Sequence, residues 1–293
     1  MRVTQSMLSN SMLNNLRQNN TQMSKYMEQL STGKKINQPS DDPVVAMRGV
    51  DYRSELSKVE QFERNMSEVR TWMDSSDEAM DEAGQSLMRV RELVTQASND
   101  SYEENQRENM ASEVEQIKDH LIELANTKVN NKHIFNGTHT DTPRFDNNGN
   151  LSGESNNKAI NIEVSDGVEL RANVDPSNAF SENMIQGLEN IVTDLRDNNT
   201  TGDDLDGYLS DIDQYSQNIV DERADLGARM NRAELIETRL SQQEITTKDV
   251  MSSNEDADMS EVITNLRMQE NVHRAALSAG SRIIQPTLMD FLR

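Results

Sequence analysis

The chain has 293 residues, enough for two or three domains, yet only 34% are apolar and 4% aromatic. That composition argues against one thick globular core and for long helices that each bury only a stripe. A net charge of −22 repels phosphate backbones and anionic membranes, so neither nucleic acid nor a membrane is expected as a partner. The absence of cysteine excludes disulfides, thiolate nucleophiles and zinc–thiolate sites.

In chain order, the first segment places Leu13, Leu16, Asn20, Met23, Met27 and Leu30 at alternating spacings of three and four, the seam of a helix that packs on another helix. This N-terminal stretch is rich in Asn and Gln. It lacks the basic and apolar blocks of a secretory signal, which by itself predicts a cytoplasmic protein. Asp42-Pro43 is a helix start, an N-cap followed by proline in the first turn. The run Phe62, Met66, Val69, Met73, Ser76, Met80, Ala83, Leu87, Val90, Val94 then carries a heptad seam to about Asn99. Met110, Val114, Ile117, Leu121, Leu124, Lys128 and Asn131 predict a second helix, folded back as an antiparallel hairpin through the polar link Asn99 to Glu104.

Beyond His133 the composition turns to Gly, Asn, Asp, Ser and Thr. Ile160, Ile162 and Val164 alternate, as do Val168, Leu170, Ala172 and Val174. Asp166-Gly167 between the two runs predicts a β-hairpin. Ser181 is an N-cap for a short helix with Ile185, Leu188, Val192 and Leu195 inward. Leu205, Ile212, Ile219, Leu226, Ala233, Leu240 and Thr247 recur every seven residues and predict a third long helix to about Ser252. Asp258 and Glu261 read as a capping box for a last helix whose seam is Val262, Leu266, Gln269, His273, Ala276, Gly280 and Ile283.

The expected fold class is therefore mainly α: an elongated long-helix bundle with a small β-containing surface insert. Residues 1–40 form an N-terminal assembly helix that pairs with a C-terminal assembly helix at 254–293. Residues 41–131 and 204–253 form the bundle, and 132–203 the insert. The expected assembly seam comprises Leu13, Leu16, Met23, Met27, Leu30, Val262, Leu266, Ala276, Ile283, Leu288, Phe291 and Leu292, the last three in a dense apolar cluster that reads as a docking patch. Lys34, Lys35, Asp41, Asp42 and Pro43 form the elbow between end helix and bundle.

No catalytic or cofactor motif emerges: GxGxxG, P-loop, GxSxG and HExxH are absent. His133 and His139 in a turn-rich segment read as surface polar residues rather than metal ligands, and His273 as a polar seam residue. The loop from Asp146 to Glu154 lacks the glycine and glutamate of a calcium loop. Asn136-Gly-Thr138 matches a glycosylation sequon without a secretory context. No metal, cofactor or enzymatic activity is expected.

Three motifs carry a family resemblance. Leu30-Ser-Thr-Gly-Lys-Lys-Ile-Asn-Gln-Pro-Ser-Asp-Asp-Pro-Val-Val-Ala-Met47 resembles the N-terminal signature of the bacterial flagellin family, and Ile283-Ile-Gln-Pro-Thr-Leu-Met-Asp-Phe-Leu292 its C-terminal signature. Asn131-Lys-His-Ile-Phe-Asn-Gly-Thr-His-Thr-Asp-Thr-Pro-Arg-Phe145 is similar to the exit from the second bundle helix in hook–filament junction members. Flagellins proper tend to have Ala-Ala-Gly after the Asp pair, where this chain has Pro43-Val44-Val45. Trp72 and the 17 methionines also resemble the junction members.

The resemblance implies a structural role in the flagellum and export, largely unfolded, through the flagellar type III channel, which replaces the cytoplasmic expectation. It implies an export chaperone on the C-terminal helices and self-assembly into a ring. Hook-associated protein 1 is the implied neighbour below, and flagellin above. The alternatives are the filament subunit, flagellin itself, and an enzyme carried on the flagellum. The last is disfavoured by an insert with no catalytic set.

Overall fold

Proline after an N-cap carboxylate starts the first long bundle helix. Asp42 Oδ1 accepts from the backbone N–H of Val44 at 3.0 Å and of Val45 at 3.1 Å, satisfying two of the donors that a helix start leaves open. The computed structural model describes residues 2–99, 104–146, 148–153, 156–197 and 199–284. Its elements are α1 (Arg2–Thr32), α2 (Pro43–Ala97), α3 (Glu104–Ala125), β1 (Lys128–Val129), β2 (Lys132–His133), β3 (Asn161–Ser165), β4 (Val168–Arg171), α4 (Pro176–Ala179), α5 (Glu182–Arg196), α6 (Gly202–Glu255) and α7 (Met259–Ile284). They divide into one unit of residues 1–58 with 243–293, here the terminal unit, and a second of residues 59–242, the bundle unit.

The bundle unit is built on the heptad positions. On α2, Met66, Val69, Met73, Met80, Ala83, Leu87, Val90 and Val94 are buried, with Phe62 packed at the margin. Ser76 on the same line is buried too, its hydroxyl donating to the Trp72 carbonyl at 2.8 Å. On α6, Leu205, Ile212, Ile219, Leu226, Ala233 and Leu240 are buried at every seventh residue. Thr201 and Asp204 cap α6 reciprocally. The Asp204 N–H donates to Thr201 Oγ1 at 3.3 Å, and the Thr201 N–H donates to Asp204 Oδ2 at 3.0 Å. Ser181 caps α5 as expected, accepting from Met184 N at 3.2 Å.

The second helix is shorter than its periodicity suggests. Lys128 and Asn131 fit the helical spacing, but α3 ends at Ala125 and the chain enters the β1–β2 hairpin. Asn130 (φ 50°) and Asn131 (φ 65°) take left-handed conformations at its turn, which asparagine tolerates and a helix does not. The β3–β4 hairpin pairs Ile162 with Leu170, shifts register between Glu163 and Ser165, and turns at Gly167 (φ 67°).

The insert also proves to be more than a surface decoration. Phe135, Phe145 and Phe180 are among the largest fully buried side chains, with Phe135 and Phe180 edge to face at 4.7 Å. Arg144 is buried beside them. Its guanidinium donates to the Phe180 carbonyl at 2.8 Å, and burial lowers its pKa to about 10. The link between α2 and α3 lies almost wholly outside the described residues.

Candidate assembly interface

The terminal unit pairs α1 with α7 in antiparallel fashion around a seam that is apolar toward its ends and polar at its centre. Its inward line on α1 is Met12, Leu16, Asn19, Met23, Tyr26 and Leu30, each buried or half-buried. Opposite stand Val262, Leu266, Gln269, His273, Ala276 and Gly280. The centre of this seam is polar. Asn19 Nδ2 donates to Gln269 Oε1 at 2.5 Å and to its carbonyl at 3.3 Å, while His273 Nδ1 lies 3.2 Å from Asn19 Oδ1. Toward the end of α7, Gly280 leaves room for Met12, whose Cε lies 2.2 Å from where a Cβ would stand.

Two expected seam residues are elsewhere. Leu13 is 47% exposed and Met27 56% exposed, both on the flank of α1, and Asn20 is exposed with them. Leu16, Met23 and Leu30 fit either of two neighbouring stripes. Hydrophobicity favours the stripe through Leu13 and Met27. The partner helix selects the other, because Gln269 and His273 need Asn19, and the gap at Gly280 admits Met12. Ile283 belongs to α7, but its side chain lies outside the described residues, as do Leu288, Phe291 and Leu292 entirely.

The elbow is clasped through the backbone. Gly33 takes φ 71°, and its carbonyl accepts from Ala257 N at 2.9 Å. Lys35 N donates to the Glu255 carbonyl at 2.6 Å, and Lys34 bridges Asp256. Beneath lies Glu255, 3% exposed. Its Oε2 accepts from Lys34 Nζ at 2.8 Å and Arg53 Nη2 at 2.6 Å. Burial pushes its carboxyl up, and these two cations outweigh that, leaving its pKa below the ordinary glutamate value.

Gly49 makes room for the same carboxylate. A Cβ there would lie 2.1 Å from Glu255 Oε1. Asp41 accepts from the N–H groups of Asn37 and Gln38 at 3.2 and 3.1 Å, which lowers its pKa. Lys34, Asp41, Asp42 and Pro43 all lie in or cap this connection, and Lys35 bonds through its backbone. Glu255, Arg53 and the two glycines are the residues that sequence reasoning missed. A glutamate at the end of an acidic helix carries no signal of burial.

Charge is divided between the units. The bundle unit holds 38 acidic and 16 basic residues, the terminal unit 13 of each, so the whole net charge of −22 falls on the bundle unit. Of the two histidines expected at the surface, His139 is exposed and His133 is not. His133 is buried with Nδ1 2.8 Å from the Asn126 carbonyl, and burial lowers its pKa. His120 Nε2 lies 3.1 Å from Glu82 Oε1. Among the described residues no group of three His, Cys, Asp or Glu is placed to hold a metal, and no helix is long and apolar enough to cross a membrane. The sequon asparagine, Asn136, is fully buried, its amide donating to the carbonyls of His139 and Thr142.

Comparison with known proteins follows the same two ends of the chain. The profile of the bacterial flagellin N-terminal helical region matches residues 3–140, and that of the bacterial flagellin C-terminal helical region matches residues 209–292. The chain is 24% identical to flagellar hook-associated protein 3 of Escherichia coli over 279 residues, 87% of this chain and 88% of that one. It is 27% identical to flagellin of Bacillus subtilis over 245 residues, 80% of each chain. Among solved structures, a flagellar hook-associated protein from Vibrio parahaemolyticus shares the fold with a TM-score of 0.66 at 21% identity. That match covers 74% of this chain and 100% of the other.

Proposed function

Because the chain belongs to the bacterial flagellin family, a family of flagellar structural proteins rather than enzymes, we propose that it forms the junction between hook and filament. The observation that carries this reading is the apolar surface that the terminal pair leaves exposed around a seam with a polar centre. Polar groups fix its register inside, while Leu13, Met27, Ile263, Met268, Val272 and Leu277 stand exposed outside. Such apolar faces on a helix pair are stable when other copies cover them. Residues 1–40 and 254–293 are then the assembly segments, and the elbow at Lys34–Pro43 joins them to the bundle.

In this reading the subunit acts by self-assembly into a ring. Its neighbours are hook-associated protein 1 below and flagellin above. It leaves the cell through the flagellar type III channel, held beforehand by an export chaperone on the C-terminal helices, and works outside the cell. The near full-length likeness to hook-associated protein 3 supports the junction position. The likeness to flagellin favours a second reading, the filament subunit itself.

Immunogold labelling of intact flagella separates the two. Label confined to the hook–filament boundary is expected, with hooks that lack filaments when the gene is removed. Label along the whole filament would make the chain a flagellin.

A further inference from the structure

The terminal pair presents two different apolar faces. The first is shared by both helices. Leu13 and Leu277 both line a notch of about 140 Å³ at one end, with Met12, Leu16 and Gly280. In the same antiparallel register Met27 stands level with Ile263 at the other end, and both are exposed. The second face belongs to α7 alone. Met268, Val272, Ala275 and Ala279 recur at spacings of four, three and four, all exposed, with Met268 at 53% and Val272 at 49%. At about 100° per residue this line and Leu277 fall on opposite flanks of α7.

We propose that the α7 line of one copy docks on the Leu13–Leu277 face of the next, with Met268 or Val272 entering the notch. This rests on the reading that copies pack through their terminal helices. The notch is lined by Met12, Leu13, Leu16 and Leu277 with Gly280, Ser9 and Ser281, and the α7 line offers large apolar groups beside two alanines that allow close helix approach. The occupant is a second copy on grounds of charge as well as shape. The terminal unit is electroneutral, whereas the bundle unit carries −22, so the terminal pair is where identical chains can meet without repulsion. Two unlike faces joined in this way make a heterologous contact, which propagates around a ring or helix instead of closing a dimer.

The chain has no cysteine, so disulfide trapping starts from a clean background. Full-length Leu13→Cys and Val272→Cys variants are co-expressed in the native host with the chromosomal copy removed. Isolated flagella are then treated with a mild copper-based oxidant. A cross-linked dimer only when both variants are present is the expected result. Cross-linking by one variant alone, or none in motile cells, overturns the pairing while leaving the junction reading intact. Wild-type chain missing from the flagella overturns the junction reading itself. Val272→Asp is the companion variant: its monomer should keep wild-type helicity and its incorporation should fall at least tenfold. Undiminished incorporation overturns the proposal.

Discussion

Among single residues the clearest demand is made by Glu255. A buried carboxylate is tolerated only with its cations in place, and Lys34 and Arg53 are both bonded to Oε2. Glu255→Gln should cost roughly 1–3 kcal/mol, the cations being half exposed. Gly49→Ala drives a methyl into the same carboxylate and should cost a similar amount, with the double variant well short of additive. Local hydrogen exchange at residues 33–35 and 255–257 measures both.

The pH dependence has a definite sign. The folded-state pKa of Glu255 is depressed, so its contribution is present above the ordinary glutamate value and is lost as pH falls through the lower folded value. Elbow protection should therefore decline in acid in the wild type and stay flat in Glu255→Gln. None of this was legible in the sequence. Burial of one acid among 51 depends on a glycine two hundred residues away.

Among elements, legibility followed repetition. The lines of α2 and α6 repeat over many heptads, and each position adds to the same inference, so their buried faces match the spacing residue by residue. α1 is shorter than either and polar. Its two adjacent stripes differ by one residue, and the side chains of α7 decide between them. The end of α3 misled for a related reason: Asn130-Asn131 fits helical spacing, yet its left-handed turn chemistry overrides it.

The distinction on α1 is testable. Leu16→Asp should open the α1–α7 pair, seen as accelerated exchange across residues 9–30 of the monomer. Leu13→Asp should leave that exchange unchanged while blocking incorporation into flagella. Equal exchange in both variants would restore the stripe through Leu13 and Met27.

For the whole molecule, the division of charge sets the conditions of assembly. If copies pack through their terminal units as proposed, the neutral terminal units meet without charge repulsion while the acidic bundle units on neighbouring copies repel. The repulsion is screened over about 10 Å at 0.1 M salt. Association should therefore strengthen as salt rises from roughly 0.01 to 0.5 M, where the Debye length contracts several-fold. Sedimentation of the purified chain across that range reads it, and association that weakens with salt would point to ion pairs between copies.

The family and the helical class were readable from motifs at both ends and from periodicity between them. The core role of the insert was not. Phe135, Phe145 and Phe180 sit in a polar, turn-rich stretch, and only the folded structure shows what they pack against.

In the proposed assembly the terminal pair is unfinished in a single chain and completed by its neighbours. Amide hydrogen exchange across the full-length monomer is the test. α1 and α7 should exchange orders of magnitude faster than α2 and α6 within residues 59–242, since they lack the continuous apolar seam that protects those helices. Exchange in α1 and α7 as slow as in the bundle helices would show a pair already complete on its own, and would contradict that assembly.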